Sequence, residues 1–336
     1  MKNLIFRILL TAILGLSLMV AKADGFVEKD GFCFEIRAYG NVNPYAVLVN
    51  RRNIKYSGDI VIHSTVSFKG TEYTVTYIDW EVFKDCDGLT SVVLPEKLGG
   101  LGHKAFENCI NLSSISLPGS VTGLEPVVFM GCSGLTSVTF EASDKNLELY
   151  SEGLGGFNGC DNLKEIVTSR YFDTGAHIGK YGWVYPYGFQ NVTDIKIPAG
   201  AQVKDFIERN TLRSQIENLT IGKDAGDFPM SLIDYKSLIK LTLGDEIPRA
   251  CPEFTDEQFR SVELNVPESA LEAYMAADGW KNFLNVTVSG LRDVTTPAGK
   301  TVTGRYDLSG RPVTEDYHGM VIIRYSDGSV EKTFRR

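Results

Sequence analysis

The apolar positions of residues 83–140 recur every 23 residues. Phe83, Phe106 and Phe129 keep this interval, as do Cys86, Cys109 and Cys132, then Leu89, Leu112 and Leu135. Ser91, Ser114 and Ser137 keep step with them, followed by Val92, Ile115 and Val138, then Leu94, Leu117 and Phe140. Within one unit, Lys104 to Pro118, neither a helical nor a strand period holds throughout. The second half, L-x-S-[VI]-x-[LF], predicts a short strand with inward positions two apart. The first half, Phe-x-x-Cys, predicts a tight coil or a single helical turn. A unit of this length cannot bury its own apolar side chains and needs like neighbours stacked on it. The strands are therefore expected to lie parallel, one per coil, about 4.8 Å apart. Phe fills the coil interior, and Cys serves as a small buried hydrophobe. Pro95, Pro118, Pro198 and Pro267 end strands because proline has no N–H to donate.

The pattern continues with irregularities. Phe157 to Thr168 repeats the unit after a five-residue insertion. Further on only the strand half recurs, and the column of Ile166 runs through Ile195, Leu219, Leu241 and Leu264. Both ends need covers, since a bare terminal coil exposes core and sheet edge. Residues 24–74 predict a β-rich lead-in, with the alternating run Glu72 to Ile78 as a half-buried strand. Residues 264–290 predict a helical closing segment. Ser269 and Glu272 have capping-box spacing, Ala270 to Ala277 favours helix, and Gly279 stands where it stops. Leu271, Tyr274, Trp280 and Phe283 supply apolar cover. Residues 291–336 form a separate β unit, with Asp327-Gly328 signalling a hairpin between Val321–Tyr325 and Val330–Phe334.

The repeat unit resembles the BspA-like class of leucine-rich repeats, common in surface and secreted proteins of the Bacteroidetes. The resemblance covers residues 55–290, with Tyr56 to Ile78 similar to that family's lead-in and Leu264 to Val286 to its closing segment. It implies a leucine-rich repeat solenoid over residues 75–290 and an adhesive role. The tail resembles the C-terminal tails of exported Bacteroidetes proteins, some of which act as secretion and attachment signals. The alternative is a small stabilising β-appendage.

Residues 1–23 predict a secretory signal peptide: Lys2 and Arg7, a short apolar run from Ile8 to Val20, and Ala21-Lys22-Ala23 as a cleavage pattern. The run is shorter than a membrane span needs, and no later run is long enough, so no transmembrane segment is expected in the mature chain. Cleavage takes the formal charge from −8 to −11. An acidic exported chain lacks the basic patch that nucleic acid or anionic membrane requires.

Motifs for chemistry are sparse. His63, His103, His177 and His318 form no pair with metal-ligand spacing. Asp85 to Gly88 is similar to the start of a calcium loop but lacks the other ligands. No cofactor and no catalytic constellation are expected. Six cysteines in an exported chain suggest disulfides. Four of them, Cys86, Cys109, Cys132 and Cys160, stand in one column with parallel Cβ vectors, which predicts a ladder of buried thiols instead.

Two surfaces are candidates for binding. One is the outward strand face, which begins with Ser91, Ser114 and Ser137 and turns to mixed charge with Glu165, Asp194 and Lys196. The other is the insertion that stretches the interval from Ile166 to Ile195 to 29 residues. It holds Tyr181, Trp183 and Tyr185, which share one side if that run is extended. The competing reading turns these rings inward as core; Phe189, in the Cys column, is expected to be core. The expected function is an exported, non-catalytic protein that presents a rigid scaffold to host extracellular protein, glycan or another cell surface. A carboxylate-based glycoside hydrolase, which needs two facing carboxylates, and a purely structural envelope protein are the alternatives.

Overall fold

The computed structural model describes residues 25–38, 43–125, 127–145, 147–149, 156–170, 176–178, 184–186, 188–201, 204–226 and 228–289, with 302–306, 313–314, 319–325 and 330–335 of the tail. The expected signal peptide lies outside these residues.

Eight parallel strands form the main sheet: Ser114–Leu117, Ser137–Phe140, Glu165–Thr168, Asp194–Ile197, Asn218–Ile221, Lys240–Leu243, Glu263–Pro267 and Asn285–Ser289. Their ladder aligns Ile115, Val138, Ile166, Ile195, Leu219, Leu241, Leu264 and Val286 in one inward column. Alternation sets the burial, with Ile115 and Leu117 buried and Ser114 and Ser116 exposed.

Behind the sheet the phenylalanines form a spine. Ring centroids of Phe83 and Phe106 lie 4.8 Å apart, those of Phe106 and Phe129 5.3 Å, and those of Phe129 and Phe157 5.1 Å, all near-parallel. Tyr56 and Phe32 extend the spine at one end. At the other, Phe189 packs 5.1 Å from Phe157 and fills the place of the missing Phe from the Cys column. Each turn also needs a left-handed residue seven positions before the inward strand column. Asp85, Asn108, Gly131 and Gly159 supply it, with φ of 55°, 60°, 75° and 77°. Asn, Asp and Gly bear this conformation at least cost.

The cysteine column is a ladder of free, buried thiols. Cys109, Cys132 and Cys160 each donate Sγ–H to the carbonyl of the spine phenylalanine one coil back, Phe83, Phe106 and Phe129, at 3.0–3.1 Å. The bond to the neighbouring Cys132 thiol, followed by burial, pushes the Cys109 thiol far up. Cys33 and Cys251 are half-buried. Alkylation of the native protein should therefore reach at most Cys33 and Cys251, and of the denatured, unreduced protein all six. Fewer than four labels in denaturant would contradict the free ladder.

In later coils larger side chains take over the thiol's place. Gln258 stands in that column and donates Nε2–H to the carbonyls of Leu232 and Tyr235 at 3.0 and 3.1 Å. Tyr235 and Trp280 occupy it in the neighbouring coils and are buried. Short helices, Lys204–Arg209 and Asp256–Ser261, replace the Phe-x-x-Cys turn.

Several features differ from expectation. A second sheet runs through the coils. Thr71–Ile78 pairs parallel with Tyr45–Val49 on one side and with Gly100–Leu101 on the other, and the two-residue strands Gly123–Leu124 and Glu148–Leu149 continue the sheet in turn. Leu101 and Leu124 point inward from it. Leu89–Val93 pairs with Gly58–Val61 and not with the main sheet. Ser269 and Glu272 form no capping box. A 3-10 turn over Glu268–Ala270 leads straight into the helix Leu271–Ala276, whose cap, Ala270, makes no side-chain bond. The capping box belongs to Thr255 and Gln258, ahead of Asp256–Ser261. In the tail, Gly319–Tyr325 and Val330–Arg335 pair antiparallel, with Val302–Tyr306 on the other edge.

Candidate functional site

The outward strand face carries two side-chain rows. Ser114, Ser137, Glu165, Asp194, Asn218, Lys240, Glu263 and Asn285 stand side by side in one. Thr139, Val167, Lys196 and Thr220 belong to the other. Neighbouring coils bring like rows together because the strands are in register, so every position faces its counterpart one coil away.

Charged side chains on this face are engaged by their neighbours, in ion pairs or hydrogen bonds. Lys196 forms an ion pair with Glu165. Asp194 accepts from Thr193 at 2.6 Å and from Asn218 at 2.7 Å. Lys240 lies 2.9 Å from Glu263, which also accepts from Thr287 at 2.8 Å. Exposed pairs of this kind contribute little stability, but they hold the side chains in fixed positions. At the other end the face is made of small hydroxyls. Ser114 is exposed and Ser137 half-buried. Ser91 does not continue this row. It lies opposite Asp59 across the separate Gly58–Val61 pairing and donates to that carboxylate at 2.6 Å, as Thr90 does at 2.8 Å. The ladder thus groups Ser114 with Ser137, places Lys196 two coils further on, and leaves Ser91 outside it.

The long insertion is pinned at both roots. Before it, Arg170 is buried, with no carboxylate in hydrogen-bond range among the described residues. Its Nη1 donates to the carbonyls of Val121 and Gly119 at 2.7 and 3.3 Å, and Nη2 to that of Pro118 at 3.4 Å. Burial holds this guanidinium below its ordinary value. The Thr168 hydroxyl accepts the Arg170 amide and donates to its carbonyl. After the insertion comes buried Phe189. Between the roots, Ala176–Ile178 and Val184–Pro186 form an antiparallel hairpin with Tyr185 opposite His177. Tyr181 and Trp183 lie outside the described residues, so the expected alignment of the three rings is described only for the Tyr185 backbone. No sequence signal marked Arg170, because an arginine beside an insertion reads as surface.

Among the described residues no group of His, Cys, Asp or Glu is placed to hold a metal ion, and no helix is long and apolar enough to cross a membrane.

A parallel stack of coils with an in-register inward column is a solenoid, and the 23-residue unit with its L-x-x-[VI]-x-[LF] strand makes it a leucine-rich repeat fold. Residues 64–181 match the family described as BspA type Leucine rich repeat region, in six copies. No curated protein matches the chain. Solved structures similar to it include a leucine rich cell surface protein from Faecalibacterium prausnitzii, at 16% identity and TM-score 0.38, over 92% of this chain and 61% of that one. The chain thus spans about three fifths of that protein's length. A leucine-rich repeat protein from Bacteroides ovatus is similar at 15% identity and TM-score 0.29, over 74% of this chain and 80% of that one. The pneumococcal vaccine antigen PcpA is similar at 11% identity and TM-score 0.30, over 81% of this chain and all of that one.

Proposed function

We propose that this protein is an exported, non-catalytic adhesive scaffold whose inserted hairpin and outward strand face contact a host extracellular protein, a glycan or another cell surface. The observation that carries the reading is the insertion: a hairpin rooted by Arg170 and Phe189 on a stack of coils. Binding residues concentrate on loops held by rigid elements, because the scaffold has already lost the entropy that association would otherwise cost. Tyr181, Trp183 and Tyr185 supply large apolar area with few torsions to freeze. Ser114, Ser137 and Lys196 supply polar contacts on the outward strand face. The hydrolase alternative is disfavoured by the strand-face carboxylates of Glu165, Asp194 and Glu263, each engaged by a lysine, an asparagine or a hydroxyl.

The test is binding of the full chain to immobilised extracellular-matrix proteins, mucin and whole cells. Trp183→Ala combined with Tyr185→Ala should leave melting unchanged and weaken binding by at least about tenfold, as loss of an aromatic anchor does. Ser114→Arg with Ser137→Arg should weaken it through the strand face. Unchanged binding in both variants overturns the proposal, and a large fall in melting temperature for the first places its rings in the core.

A further inference from the structure

The most exposed aromatic ring among those of known burial lies far along the chain from the insertion. Trp80 is 68% exposed, although it stands only two residues beyond the buried strand residue Ile78. Its position is fixed from below. A Cβ at Gly102 would come 2.6 Å from Trp80 Cδ1 and 2.8 Å from its amide nitrogen, so only a glycine lets the ring lie there. His103 packs edge-on with ring centroids 6.3 Å apart. The Tyr77 ring lies across Gly100 of the next strand, where a Cβ would meet it at 3.0 Å. The next coil has thus given up two side chains, at Gly100 and Gly102, beneath the rings of Tyr77 and Trp80.

A fixed polar rim adjoins these rings. Arg37 bridges two carboxylates, with Nε donating to Glu35 at 2.7 Å and Nη2 to Asp79 at 2.5 Å. Asp79 Oδ1 also accepts the Trp80 amide at 2.9 Å. Burial pushes the Tyr77 phenol up to about 12, with Glu125 and Asp79 adding in the same direction; the Glu125 amide donates to the Leu101 carbonyl at 3.4 Å, which places a further acid one coil beyond the glycines.

We infer that Trp80, with Tyr77 and the Arg37–Asp79 pair, forms a binding platform for a neutral saccharide. A pyranose offers an apolar C–H face and, around its edge, hydroxyls that both donate and accept. An exposed flat ring takes the face. Arg37 is a fixed donor and Asp79 a fixed acceptor for the edge, with the Glu125 carboxylate as a further acceptor from the coil beyond. Apolar area joined to a few oriented polar groups is the usual composition of a small-molecule site, and a rigid tryptophan loses little entropy on contact. A cationic ligand would suit the rings and acids as well, but Arg37 already holds the place between Glu35 and Asp79 that such a cation would take. This site is separate from the inserted hairpin and goes beyond the adhesive role proposed above.

The test uses the full chain against cellotetraose, maltotriose, chitotriose and N-acetyllactosamine, with hexalysine as the cationic probe, read by titration calorimetry. At least one neutral sugar should bind. Trp80→Ala should weaken that binding about tenfold or more, as for a truncated tryptophan anchor, with an unchanged melting temperature. Trp80→Phe should restore most of it, and Glu125→Gln should weaken it in a fully folded protein. Trp183→Ala with Tyr185→Ala should leave sugar binding unaltered, which separates this platform from the hairpin. The inference is overturned if no neutral sugar binds, if Trp80→Ala and Glu125→Gln both bind as well as wild type, or if hexalysine binds in preference.

Discussion

Phe106→Ala is expected to lower unfolding free energy by about 3–5 kcal/mol, the range for a fully buried phenylalanine. Phe106 is completely buried in the middle of the spine, with Phe83 at 4.8 Å and Phe129 at 5.3 Å. Neither neighbour can close the gap, because each is held by its own coil, and coil spacing is fixed by the strand ladders on either side. The cavity therefore stays open, which places the cost toward the upper end of the range. In a repeat array stability is a sum of unit and nearest-neighbour terms, so the defect weakens two interfaces at once. Denaturant unfolding should show a lower midpoint and a broader transition as coupling between the halves falls. A loss under about 1 kcal/mol, closer to a surface substitution, would mean that the spine is not a continuous stack.

Trp280→Ala is expected to cost a similar 3–5 kcal/mol, by a different route. Trp280 is 1% exposed and packs between Tyr274 at 5.5 Å and Phe283 at 6.0 Å. Its Nε1–H donates to the Arg249 carbonyl at 2.7 Å. Truncation opens a cavity and removes the partner of that carbonyl. The damage should start at the Asn285–Ser289 edge of the sheet, and hydrogen exchange should show protection lost first over residues 263–289. Trp280→Phe should recover much of the packing but not the hydrogen bond. Uniform loss of protection along the sheet would argue against local opening. The contrast with Trp80 is instructive, since the same residue type should cost almost nothing where it lies on the surface.

The main sheet was legible because its signal is redundant. Leu112, Ile115 and Leu117 recur at fixed intervals in coil after coil, so the column survives local irregularity. The second sheet was not legible. Gly100–Leu101 and Gly123–Leu124 are two residues long, too short for any period to register. The pairing of Leu89–Val93 with Gly58–Val61 is equally invisible, since the repeat places Ser91 in step with Ser114. In the closing segment spacing misled. Ser269-x-x-Glu272 has the form of a capping box, but the chain is already turning after Pro267, so no free helix start remains there. Gln258 was missed because a glutamine in a cysteine column looks like a break, whereas it makes the same bond to the preceding coil with a longer arm. Of the candidate site, the insertion and the strand-face rows were readable from interval and alternation. Arg170 and the glycine floor under Trp80 depend on which backbone passes beneath them, and that is a property of the stack alone.

The near-identity of coils 83–140 has a consequence for assembly of the stack. Successive units present almost the same inward side chains, so a strand displaced by one unit meets a nearly equivalent partner, and slipped arrangements compete with the native one. The stretches that spoil the period resolve this degeneracy. The lengthened interval between Val138 and Ile166, Phe189 standing where a thiol is due, and Arg170 reaching back to Pro118 and Val121 each fit at a single coil. They act as keys along an otherwise uniform track, so that irregularity, and not repetition, sets the order in which the coils stack.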